Sequence, residues 1–141
     1  GLNGLMLSRT AENLYWISRY MERAEMTARL LDVGYRMSLF PNPVGHHNEW
    51  DSVLSAAGSI NGYREKYDKI EQKKVQDYLL FDEDNPSSVY NCISNARNNA
   101  LVVRTAFTSD AWIAINKTYQ ELMRLKTDDY TQDHKHNEAL I

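Results

Sequence analysis

From Ser8 to Leu39 the chain places apolar residues at Ile17, Met21, Ala24, Ala28, Leu31 and Tyr35, in alternating steps of four and three. Such steps return to the same side of an α-helix at every turn, so they mark the seam of a helix packed on its neighbours. The pattern predicts one long helix over 8–39. Ser8 is the expected cap, Glu12 lies early, where the helix dipole favours a carboxylate, and Pro41 and Pro43 end the helix. At about 1.5 Å per residue this helix is roughly 48 Å long, which suits a bundle axis.

The remaining pattern is also helical. After a loop at 41–48 (PNPVGHHN), Trp50, Val53, Leu54 and Ala57 predict a short helix, interrupted by Gly58 and Gly62. Tyr63, Tyr67 and Ile70 mark a second short piece over 63–70, and Val75, Tyr78 and Leu79 a third over 71–81. FDEDNP at 81–86 breaks the chain. Asn85 is then the expected N-cap, with Pro86 at the first helical position, where its missing N–H costs nothing. Val89, Ile93, Ala96, Ala100, Val103 and Phe107 carry that helix on. Thr108, Ser109 or Asp110 caps a last one, with Trp112, Ile115, Tyr119 and Leu122 on one face, running to about Lys126. The polar stretch 127–141 reads as a frayed tail. No segment alternates with the period of a strand, and Asn61-Gly62 has no flanking strands. The expected fold is all-α: a single helical domain over 1–141, a bundle built around a long N-terminal helix with short helices and two further long ones.

Composition narrows the function classes. At 141 residues and 43% apolar content the chain can bury a core without disulfide or metal. A net charge of −3 offers no basic excess for phosphates, which disfavours nucleic acid. The single cysteine, Cys92, cannot form an intrachain disulfide. No apolar run approaches the ~20 residues of a membrane span, and the N-terminus lacks the apolar core of a signal peptide. These features predict a cytoplasmic protein with no membrane partner.

Candidate chemistry centres on the first helix. Opposite its seam runs a second stripe, Glu12, Trp16, Arg19, Arg23, Met26 and Leu30, with Tyr15, Glu22 and Arg29 between. Large apolar residues on that face imply a helix covered on more than one side, with some of Arg19, Glu22 and Arg23 partly buried and therefore paired. Arg97 and Arg104, seven apart on the later helix, are natural partners for Glu22, because a guanidinium forks onto a carboxylate with two hydrogen bonds. The cluster Arg19, Glu22, Arg23, Arg97 and Arg104 is thus either an interhelical network that sets register or a site for a small acidic or peptide ligand, with Glu22 as proton acceptor. Ion-pair networks are the commoner case.

Other groups point to ordinary roles. Glu22 and Glu25 lack the Glu-x-x-His spacing of a di-iron bundle. His46, His47, His134 and His136 sit in loop or tail without a further ligand at metal spacing. Asp82, Glu83 and Asp84 lack the calcium-loop pattern and suit a helix start. Cys92 reads as a packed thiol. No phosphate-cradling loop or nucleophile elbow is present, so no enzyme signature, metal site or cofactor is expected.

Two segments carry a family resemblance. MLSRTAENLYWISRYMERAEMTARLL at 6–31 resembles the start of the bacterial alpha-E family, a helical domain named for a Glu-Arg motif, here Glu22-Arg23. FDEDNPSSVYNCISNARNNALVVRTAFTSDAWIAIN at 81–116 is similar to the family's segment with an Asn-Pro-Ser-Ser turn and an Arg-rich helix; the matching positions are Asn85, Pro86, Ser87, Ser88, Arg97, Arg104, Trp112 and Asn116. Family members are considerably longer, so the resemblance implies either the N-terminal portion of a longer protein or a short form. It also implies an association with an ATP-grasp protein and a transglutaminase-like protein. The expected function is therefore a non-catalytic interaction or accessory domain for amide-bond formation. A carrier or enzyme domain with a ligand at the Glu/Arg cluster, and a homo-oligomerisation module, are the alternatives.

Overall fold

The seam on the first helix does what its spacing predicts: Ile17, Ala24, Ala28 and Leu31 are buried, with Met21 and Tyr35 packed beside them. The computed structural model describes residues 2–40, 49–104 and 109–128, with the backbone alone at 2–7 and 109–112. Among these residues lie six helices and no strand: α1 (Leu2–Ser38), α2 (Glu49–Ala56), α3 (Ile60–Lys66), α4 (Gln72–Leu80), α5 (Val89–Val102) and α6 (Ser109–Thr127). The all-α bundle around a long first helix is therefore the observed fold. Phe107, Thr108, the side chain of Trp112, the four histidines and the tail from 129 lie outside the described residues.

Two predicted helix starts differ. Helix α1 begins at Leu2, so Ser8 is an interior, exposed position and not a cap. Leu2, Leu5, Met6 and Leu7 are good helix formers, and Gly4, though a poor one, does not break a helix as a proline would. Helix α5 begins at Val89, with Ser88 as the N-cap: its Oγ accepts from the Asn91 N–H at 3.1 Å. Asn85 does not cap because its side chain is used elsewhere. Buried, it donates from Nδ2 to the Tyr78 carbonyl at 3.0 Å and accepts at Oδ1 from the Ser87 N–H at 3.1 Å. It thereby satisfies an α4 carbonyl that would otherwise be an orphan. Pro86 accordingly sits in the turn. The helical part of α5 stops at Val102, short of the predicted run to Phe107.

The short helices close one end. Helix α2 ends in a left-handed glycine, Gly58 at φ +69°, with the Gly58 N–H on the Ser55 carbonyl and the Ser59 N–H on that of Leu54. This is the double hydrogen bond of a Schellman cap. Helix α1 admits α2 closely at Gly34, where an added Cβ would stand 2.8 Å from both Trp50 Cζ3 and Val53 Cγ2. Gly62 falls inside α3 and does not interrupt it.

Helices α1, α5 and α6 form the long layer. Arg23 on α1 reaches Ser87 just before α5, whereas Ile17 packs with Ala100 near the end of α5, so the two run antiparallel. Asn116 meets Arg97 and Lys126 lies over Tyr90, so α6 is also antiparallel to α5. Thus α1 and α6 run in the same direction on either side of α5.

Candidate functional site

Of the five charged residues singled out in the sequence, Arg19, Glu22 and Arg23 share one stretch of α1, and Arg97 and Arg104 do not join them. Helix α1 presents Arg19, Glu22 and Arg23 outward, all exposed. Arg23 Nη1 donates to Ser87 Oγ at 2.7 Å, which ties the Glu-Arg dipeptide to the Asn-Pro-Ser-Ser turn. Arg97 turns to the opposite side of α5. Its Nε donates to Asn116 Oδ1 at 3.2 Å, and its guanidinium lies 4.5 Å from the centre of the Tyr119 ring, a cation–π stack that locks α5 to α6. Arg104 is exposed beyond the end of α5.

Glu22 has no ion-pair partner among the described residues, and the expected pairing with Arg97 or Arg104 is absent. The reason is register. The antiparallel packing puts the 22–23 turn of α1 opposite the start of α5, and Arg97 lies about 13 Å further along that helix, facing α6. The expected cover over the outer stripe is found only at Leu30, which packs against the core, whereas Trp16 is 43% exposed and Met26 42%; Val33 and Met37, further along α1, are exposed as well. Tyr15, Trp16 and Tyr20 form a ladder of tilted rings with centroids 5.3 and 5.9 Å apart on the same stretch. Arg19, Glu22, Arg23 and Met26 border a shallow hollow of about 200 Å³.

A larger groove opens between α1 and α6, floored by α5. Val89 and Ile93 form its base, and Met21, Ala28 and Leu122 its walls. Glu22 and Glu25 stand on the α1 lip and Thr118 on that of α6. Its volume is about 360 Å³. Nothing in the one-dimensional pattern announces it. It exists because α1 and α6 both pack on α5 and meet each other only weakly.

The remaining candidates are structural. Asp82 and Asp84 pair with Lys66, at 2.6 and 3.5 Å, and Asp82 Oδ1 accepts the Asp84 N–H at 2.8 Å. The Asp82 hydrogen bond holds the Lys66 ammonium above its ordinary pKa. Burial pushes the Cys92 thiol up to about 11, partly offset by the nearby Arg23 charge, so it is not a nucleophile at neutral pH. Among the described residues no group of three His, Cys, Asp or Glu could hold a metal ion, and no helix is long and apolar enough to cross a membrane.

Known proteins place this arrangement in context. Residues 6–141 match the Alpha-E family, described as a predicted alpha-helical domain with a conserved ER motif. Glu22-Arg23 is the sole Glu-Arg dipeptide in the chain, so the motif falls on the dipeptide that reaches Ser87. Uncharacterized proteins of Mycobacterium tuberculosis and Mycobacterium bovis are 29% identical over 124 residues, covering 76% of this chain and 14% of their own length. The chain thus spans about a seventh of these relatives. No solved structure matches the chain significantly. With its two motif-bearing segments joined by the Arg23–Ser87 hydrogen bond, and with the match running from residue 6 to the last residue, the chain belongs to the Alpha-E family.

Proposed function

We propose that the chain is a non-catalytic, cytoplasmic interaction domain, accessory to an ATP-grasp peptide ligase and a transglutaminase-like protein. The observation that carries the interaction role is the outer face of α1. Trp16, Met26, Val33 and Met37 remain exposed at helical spacing, interleaved with Arg19 and Arg23. Aromatic residues, Met and Arg are the residue types enriched in protein interfaces. The choice of partner class follows from the family resemblance. Affinity capture from the lysate of the cells that make the protein, with the bound proteins identified by mass spectrometry, tests it. An ATP-grasp or transglutaminase-like protein retained by the wild type and lost with Trp16→Ala/Met26→Ala supports the proposal; retention of neither class counts against it.

One observation favours a reduced second reading. Arg19 and Arg23 border the 200 Å³ hollow while Arg97 is committed to Asn116 and Tyr119. A carboxylate ligand would then meet two guanidiniums rather than four. Calorimetric titration with short acidic peptides decides it: binding that survives Arg19→Ala/Arg23→Ala removes this reading.

A further inference from the structure

We propose that the groove between α1 and α6 is a docking slot for a basic amphipathic helix of a partner protein. The inference deepens the interaction reading and rests on it.

The geometry is that of a four-helix layer lacking one member. Two helices running in the same direction flank a third, and the valley above the third is lined by apolar side chains. A helix laid into such a valley meets ridges on both sides, which is how helices pack in bundles. On the α1 side the lining extends from Ser18 to Ala28. Ten helical steps are about 15 Å, close to three turns. That length accepts three apolar anchors at positions i, i+3 or i+4, and i+7 of an incoming helix.

The charge on the lip selects the occupant. Among the described residues, the charged members of the groove lining are Glu22 and Glu25, both exposed carboxylates on α1, with no cation beside them in the lining. Glu25 holds Arg29 in an i,i+4 pair on its far side, while Glu22 has no ion-pair partner among the described residues. A helix whose polar flank carries Lys or Arg would neutralise this lip, whereas an acidic flank would be repelled. The unpartnered Glu of the Glu-Arg dipeptide thus acquires a role that stability does not require.

The test uses synthetic helices and the whole chain. A fluorescein-labelled peptide of about 16 residues, with Leu at the anchor positions and Lys along the flank, is compared by fluorescence anisotropy with the same peptide carrying Glu for Lys. The Lys peptide is expected to bind at least about ten-fold more tightly, and added salt to narrow the gap. Thr118→Trp, which fills the groove from the α6 lip, should weaken the Lys peptide by about ten-fold or more. Glu22→Lys/Glu25→Lys, at exposed positions, should reverse the preference; circular dichroism establishes that both variants are folded. If Thr118→Trp is not folded, the reversal by the exposed double variant decides alone. Equal binding of the two peptides, binding of neither, or binding indifferent to both variants overturns the proposal. Sedimentation showing a dimer that Thr118→Trp dissolves would assign the groove to a second copy instead. The peptide assay contains no ATP-grasp protein, so its failure leaves the capture experiment standing, and the reverse holds.

Discussion

Around Leu31 the interior is filled by large side chains from all six helices, among them Trp50, Leu54, Tyr63, Leu79 and Leu122. Around Ile17 it is filled by Ala96, Ala100, Val103 and Ile115, from the long helices alone. The first region owes its stability to buried area. Tyr63 is fully buried, its hydroxyl donates to the Lys69 carbonyl at 2.6 Å, and Tyr78 meets it edge-on with ring centroids 5.6 Å apart. The second owes it to close approach: two alanines on α5 let the backbone of α1 come near. The contrast teaches where a partner can act. The part covered by α2 to α4 is closed, whereas the outer face of α1 stays exposed and the α1–α6 groove opens onto the first region at Ala24, Val89, Ile93 and Leu122, where those short helices do not cover it.

Substitutions sharpen this contrast. Leu79→Ala in the packed end should cost about 2–5 kcal/mol and lower the melting temperature by several degrees per kcal/mol, read by thermal unfolding. Ala96→Leu in the thin region should cost about 1–3 kcal/mol by forcing α1 away from α5. A stability equal to wild type would show that the helices are not in close contact there. Gly34→Ala, where the new methyl meets Trp50 and Val53, should cost about 1–2 kcal/mol.

Alkaline pH probes Cys92. Its folded pKa of about 11 lies above the ordinary value of 9.0, so the neutral thiol is favoured in the folded state. The resulting stability is fully present below about pH 9 and is lost as pH rises through 11. Tyr63 and Tyr78, raised chiefly by burial, act in the same direction. Melting temperatures at pH 8 and pH 10.5 should therefore fall less in Cys92→Ala than in wild type. The smallest effect belongs to the Glu-Arg dipeptide. Glu22→Gln should change stability by no more than about 0.5 kcal/mol, because its carboxylate is exposed and unpaired among the described residues. A loss of several kcal/mol would make Glu22 a scaffold residue and remove it from the groove's chemistry.

Much of the fold is legible in the residue pattern. The 17-21-24-28-31-35 seam and the 89-93-96-100-103 seam are both buried or packed as their period requires. Asn85 departs from the pattern, since a residue with cap chemistry can be claimed by a distant orphan carbonyl, here that of Tyr78. Trp16 and Met26 depart from it too, because apolar spacing shows that a face is fit for contact and not that this chain supplies the contact. Burial periodicity, helix breakers and the single Glu-Arg dipeptide are local properties, and the sequence by itself determined them. Helix direction and register depend on which seams interlock. Only tertiary packing decided that Arg23 meets Ser87, that Arg97 stacks on Tyr119, that Glu22 has no ion-pair partner among the described residues, and that a groove opens beside it.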